Sequence, residues 1–186
     1  MFKLGEYARN FEPHPTPSLL VELYEYQRRL EDFFSDGFEL RVDEDKSAFE
    51  SWSKHPEFLS ALFPIGNATG SGSTYALWLP SAGSLEDAPV LVFGDEGGVH
   101  VVAESISALL RLLSYDTEPM IDRDAVSYFK LDDADPSEEA ESFLRFLERR
   151  KLEPIDDASD ADALVLAAQQ RYGAAFGSWF QRFSAK

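Results

Sequence analysis

The 186-residue chain contains no cysteine, so it can form no disulfide, offer no thiolate nucleophile and hold no sulfur-ligated zinc. Histidine is scarce as well. His14 lies among prolines, His55 precedes Pro56 and His100 alternates outward on an expected strand, so each reads as a surface residue, and there is no Gly-x-Ser-x-Gly elbow. No apolar run approaches the roughly 18 residues of a membrane-spanning helix, and residues 1–17 lack the apolar core of a secretory signal. A cytoplasmic location is expected, and Asn67-Ala68-Thr69, which matches a glycosylation acceptor, reads as a plain loop. Basic residues are few. Seventeen Lys and Arg stand against 34 Asp and Glu, a formal charge of -17 that repels phosphate backbones and anionic lipid and attracts basic protein surfaces. Neither nucleic acid nor membrane is therefore an expected partner, although acidity that serves only solubility is the plainer reading.

What is present is the material of a folded core. Hydrophobic residues make up 44% and aromatics 13% of the chain, more than a disordered acidic chain carries, and the length suits one domain. Pro13, Pro15 and Pro17 predict an extended N-terminal arm. Ser18 opens an amphipathic helix whose stripe is Leu19, Leu20, Leu23, Tyr26, Leu30 and Phe33, ended at Asp36-Gly37. Phe38, Leu40 and Val42 alternate with Glu39, Arg41 and Asp43 as a half-buried strand does. Residues 46–62 fit two short helices or a helix and a loop, divided at His55-Pro56. After a Gly-rich turn, residues 74–79 alternate as a strand, and Pro89 to Phe93 is an apolar run read as an interior strand. Asp95-Glu96-Gly97-Gly98 has hairpin chemistry, with Val99, Val101 and Val102 returning. Ser105 then starts a helix with the stripe Ile106, Leu109, Leu110, Leu112 and Leu113.

Acidic charge concentrates late, with sixteen of the 34 acids between Asp116 and Asp162. Within that region residues 126–131 read as a short strand. Phe143, Leu144, Phe146 and Leu147 mark a helix begun by Asp135-Pro136-Ser137-Glu138. The last helix, residues 161–183, carries Tyr172, Phe176, Trp179, Phe180 and Phe183, a stripe suited to a core or a dimer contact.

Motifs for chemistry fail on inspection. Gly66, Gly70 and Gly72 could cradle a phosphate, but no Lys-Ser or Lys-Thr follows and a strand rather than a helix comes next. Asp122 with Asp124, or Asp95 and Glu96 near His100, could ligate a metal, yet neither has the spacing of a calcium loop. No cofactor is expected.

The order of features from Gly66 to Leu113 resembles the SUKH superfamily, the Smi/Knr-like proteins. The likeness rests on Ile65-Gly66 with Gly70-Ser71-Gly72, Thr74-Tyr75-Ala76-Leu77, Pro89-Val90-Leu91-Val92-Phe93, the Gly97-Gly98 turn, and Val102-Ala103-Glu104-Ser105-Ile106 leading to Leu109-Leu110. It implies an α+β fold, a mostly antiparallel twisted sheet flanked by helices, with a core at about 18–115, beyond which the strand and helices of 116–186 form a C-terminal extension. It also implies a non-enzymatic role, in which many members bind and neutralise a cognate bacterial toxin, often a nuclease. Exposed acids on the sheet loops are then the expected contacts with that protein partner: Asp43, Glu44 and Asp45, Glu86 and Asp87, Asp95 and Glu96. Two other readings stand beside it. One is a regulatory or scaffolding protein that forms a homodimer through its aromatic C-terminal helix, and the other is a hydrolase or metal enzyme, for which the nucleophile and base are missing.

Overall fold

A computed structural model describes residues 2–43, 46–131 and 133–184. Five antiparallel strands form the main sheet in chain order: β1 (Glu39–Leu40), β2 (Leu62–Asn67), β3 (Thr74–Trp78), β4 (Val90–Phe93) and β5 (Val99–Ala103). Val90 to Phe93 is interior, as its unbroken apolar run predicts, because it must bury side chains on both faces. The strand β2 was not foreseen, and the reason is the same burial. Leu62 faces one core while Phe63 and Ile65 face the other, so no polar alternation marks it. Its register shifts between Pro64 and Gly66, which accommodates the proline. At Gly66 a Cβ would meet Glu39 O at 2.6 Å and the Phe38 ring at 2.7 Å, so only glycine admits β1 at this distance.

Helices cover both faces of the sheet. Phe63, Ile65, Tyr75, Leu77, Val90 and Val92 pack against α1 (Leu4–Ala8), α2 (Ser18–Gln27), α5 (Ile106–Leu113) and α6 (Ala140–Glu148). On the opposite face Leu62, Ala76, Trp78, Leu91 and Phe93 pack against α3 (Ser47–Glu50), α4 (Pro56–Ser60) and α7 (Ala158–Ser184). The last helix serves both layers, since Ala161 and Val165 belong to the first core and Ala168, Phe176 and Trp179 to the second. It passes from one face to the other alongside β5. Residues after 115 are thus woven into both cores, and the architecture is α+β.

The N-terminal arm is not extended. Phe2, Leu4, Tyr7 and Phe11 recur at spacings of two to four and fold into α1 and a single 3-10 turn, with Tyr7 and Phe11 fully buried; the prolines begin only at Pro13. Asn10 is buried there, and its Nδ2 donates to Arg41 O at 2.7 Å and Pro64 O at 3.0 Å while its Oδ1 accepts the Asp43 N–H at 2.9 Å. It secures the short β1 edge. Helix α2 stops at Gln27, so Phe33 is 54% exposed instead of extending the stripe. Its cap is Pro17, and Ser18 is the first helical residue.

Ser105 caps α5 as expected, its Oγ accepting the Ala108 N–H at 3.3 Å. Ser105→Ala should destabilise the protein by about 1 kcal/mol, a fall in Tm of about 2–4 °C readable by calorimetry. An unchanged Tm would show that the cap is replaced by water.

A second, two-stranded sheet pairs β6 (Pro119–Ile121) with β7 (Val126–Tyr128). Only β7 was anticipated, because β6 is too short to show a period. The hairpin is tied to the main sheet by buried Tyr128 and Tyr75, whose hydroxyls lie 3.0 Å apart, and burial pushes both phenols upward. Helix α6 begins later than its Asp-Pro-Ser-Glu sequence predicts. Ser137 donates its N–H and hydroxyl to buried Asp116 instead, at 2.8 and 2.5 Å.

Candidate functional site

The expected acids do not share a surface. Asp43 is buried, accepting hydrogen bonds from the N–H groups of Ser47 at 3.2 Å and Ala48 at 3.3 Å and pairing with Arg41 at 3.2 Å; it anchors the start of α3. Glu44 and Asp45 lie outside the described residues. Glu86 is exposed but accepts the N–H of Ser18 at 2.6 Å and its hydroxyl at 3.2 Å, clamping the first turn of α2. Asp87 is exposed beside it. Both precede β4, whereas Asp95 and Glu96 follow it, so the two acidic loops sit at opposite ends of that strand.

The Asp95-Glu96 turn is held firmly. Ser73 Oγ donates to the Asp95 carboxylate at 2.7 Å, and this bond above all holds the carboxyl below its usual range. Gly97 and Gly98 both take positive φ, 114° and 85°, conformations that favour glycine. A Cβ on Gly98 would stand 2.1 Å from Asp122 O, so this glycine lets the turn of β6 and β7 abut the turn of β4 and β5. His100 Nε2 lies 2.8 Å from the same carbonyl. Asp95 and Glu96 of one turn and Asp122 and Asp124 of the other are all exposed, as is Arg123 between the last two.

Beside these turns runs a groove of about 870 Å³, with Arg123 and Asp124 at its edge. One wall is the Gly97-Gly98 turn and the start of β5 through Val101, and the other is α7 from Gln169 to Gln181, with Trp52, Phe176 and Phe180 as apolar lining. Two glycines, Gly173 and Gly177, face it from the middle of the helix.

The Gly-rich turn before β3 cannot cradle a phosphate as arranged. Glu118 Oε1 accepts the Gly70 N–H at 2.6 Å, placing a carboxylate where the anion would bind. The imidazoles serve local contacts: His55 Nδ1 accepts the Glu57 N–H at 3.2 Å, and His14 meets Phe63 edge-on at 5.3 Å. Among the described residues neither carboxylate pair considered for a metal gathers a third ligand. Among the described residues, the one such group within 4.8 Å is Asp156, Asp157 and Asp160, exposed at the start of α7, where Asp157 caps the Asp160 N–H at 2.9 Å.

Of the aromatic stripe of α7, Phe176 and Trp179 are buried and Tyr172, Phe180 and Phe183 are half-buried. Trp179 stacks on Phe58 at 5.2 Å and meets Trp78 at 5.5 Å, and Phe176 meets Trp78 edge-on at 5.3 Å. No described helix is long and apolar enough to cross a membrane. Sequence reading missed the contribution of Gly173 and Gly177, although two glycines four apart inside a helical pattern are a legible signal. No protein-family model matches the chain, and neither a curated protein nor a solved structure matches it.

Proposed function

We propose that the protein is a non-enzymatic binding module, located in the cytoplasm, that neutralises a cognate protein toxin of basic surface. The observation that carries this reading is the pair of abutting turns, which present Asp95, Glu96, Asp122 and Asp124 on one rim. A rim fixed by Ser73 and two positive-φ glycines is preorganised, so little ordering entropy opposes docking. Its charge steers a basic partner, and a net charge of -17 strengthens the field. The resemblance to the SUKH superfamily supports the same reading, with a basic nuclease as the favoured toxin. Asp87 and Glu86 lie at the other end of β4 and serve the fold or a separate contact.

The test is binding to the purified product of the neighbouring toxin gene. We expect association that weakens with added salt, and Asp95→Asn with Glu96→Gln to lower the affinity about tenfold, chiefly through the on-rate. No association by the unaltered protein would overturn the reading, and binding indifferent to salt and to both substitutions would remove the electrostatic rim from it.

A further inference from the structure

The small second sheet carries apolar side chains on its free face. Pro119, Ile121, Val126 and Tyr128 are buried or half-buried, while Met120 and Ser127, which pair across the ladder, stand exposed. An antiparallel sheet with one solvated face normally places polar residues there. Here Met120 is 58% exposed, and the same alternation carried one step past the ladder brings out Glu118 and Phe129, the phenyl ring also 58% exposed. Thr117 Oγ1 donates to Phe129 O at 2.8 Å and holds the strands together at that end. Of the six large apolar side chains exposed among the described residues, Met120, Phe129 and Leu131 come from this hairpin and its exit, and Phe33 shares a pocket with Glu118. Apolar side chains gathered in this way mark a contact with another molecule.

That pocket, of about 320 Å³, points to the chemistry of the partner. Asp36, Glu39 and Glu118 line it beside the exposed Phe33, and no lysine or arginine does. Each carboxylate is oriented by the fold: Glu118 Oε1 accepts the Gly70 N–H at 2.6 Å, Glu39 Oε2 accepts Asn67 Nδ2 at 3.4 Å and Asp36 Oδ1 accepts the Ser137 hydroxyl at 3.3 Å. Two cations of the neighbouring segments are engaged elsewhere, Arg41 with Asp43 at 3.2 Å and Lys130 with Asp116 at 3.4 Å. Three carboxylates and a phenyl ring with no cation among them are complementary to a guanidinium, which can bond a carboxylate and stack on a ring together. From Glu118 to Asp122 the strand runs about 13 Å, so the face joins this pocket to the acidic turn.

We propose that the outward face of β6 and β7 is the centre of the surface that holds the basic protein partner: Met120 and Phe129 pack on an apolar area of that partner, and one of its arginines enters the pocket between Phe33, Glu39 and Glu118. Protein interfaces place aromatic and apolar side chains at a dry centre and charges at the margin. The centre governs dissociation and the margin governs encounter. In this arrangement the Asp95-Glu96 and Asp122 turns are the margin, and the hairpin face supplies the affinity. The inference rests on the reading of the chain as a protein-binding module, and it names the residues that keep the partner bound.

The experiment uses the full chain, isotope-labelled, the product of the neighbouring toxin gene, and two synthetic capped six-residue probes that alternate leucine with arginine or leucine with glutamate. The arginine probe is expected to shift the amide resonances of Gly70, Glu118, Met120 and Phe129 together; the glutamate probe is expected to leave them in place. Phe129→Ser should weaken the arginine probe about tenfold and speed dissociation of the toxin about tenfold with its association rate unchanged. Met120→Ser, in the middle of the face, should do the same. Both side chains are mostly exposed, so Tm should stay within about 2 °C in each variant. Shifts confined to other surfaces, equal binding of both probes, or full binding of the arginine probe by both variants would each overturn the proposal. Toxin capture with unchanged dissociation in both variants would sink this face alone, whereas a chain that captures no toxin yet takes the arginine probe at these four amides would sink the toxin reading alone.

Discussion

Trp179→Ala should lower stability by about 4 kcal/mol, a fall in Tm on the order of 10 °C. Trp179 is 6% exposed and lies parallel to Phe58, edge-on to Trp78 and against Phe176 and Phe183. Removing the indole leaves a void among four rings anchored in three separate elements, which cannot all collapse into it. A second substitution separates packing from polarity. The indole N–H of Trp179 is buried without an acceptor among the described residues, so Trp179→Phe, which deletes that donor and keeps most of the ring, should cost less than about 1.5 kcal/mol. Urea unfolding of both variants, with sedimentation of the native proteins, reads the result. Stability unchanged by Trp179→Ala with a loss of self-association would favour the reading of α7 as a dimer helix.

The second large effect belongs to Asp116→Ala, expected to destabilise by about 3 kcal/mol. The Asp116 carboxylate is buried and accepts the Asp36 N–H at 3.0 Å and the Ser137 N–H and hydroxyl, with Lys130 Nζ at 3.4 Å. Four segments meet on it. Its backbone, with φ of 56°, adds to the cost because alanine is strained there and asparagine is not. Burial alone raises this carboxyl, but the bonds from Ser137 and Asp36 and the charge of Lys130 outweigh it, and the net shift is below the ordinary 3.8. A carboxyl depressed on folding stabilises fully above its unfolded value and loses that contribution as the pH falls through its folded value. The difference in unfolding free energy between the unaltered protein and Asp116→Asn should therefore be constant from pH 7 to about 5 and shrink as the pH falls below 3.8. A difference that grows in acid would show that the carboxyl is raised in the fold.

Where local chemistry decides the conformation, the sequence was readable. The hairpin of β4 and β5 follows from Val-rich runs around Gly97-Gly98, and α5 from its stripe and the Ser105 cap. Where a distant residue decides, it was not. Asp43 looked like a loop acid because Asn10, which holds its backbone, is remote in sequence and the pairing with Arg41 two residues away has no local signature. Ser137 looked like a helix cap because nothing near it in sequence announces Asp116. The strand β2 was hidden by burial on both faces, and α1 by the prolines that follow it. Half of the acidic rim was legible as the Asp95-Glu96 turn, while Asp122 and Asp124 join it only because Gly98 permits two turns to touch.

The passage of α7 across both faces of the sheet has a consequence for biosynthesis. The sheet is complete in sequence at Ala103, and Phe49 and Trp52 already cover Phe93, but Trp78 lacks its partners Phe176 and Trp179 until α7 has been made. At the usual 5–20 residues per second, the ribosome needs roughly 4 to 16 seconds to travel from Ala103 to the end of α7. During that interval the nascent chain presents an incompletely covered apolar layer and a β5 edge that α7 does not yet flank, both invitations to aggregation. Chaperone contact early in translation is therefore expected to matter more for the yield of this protein than the stability of the finished fold.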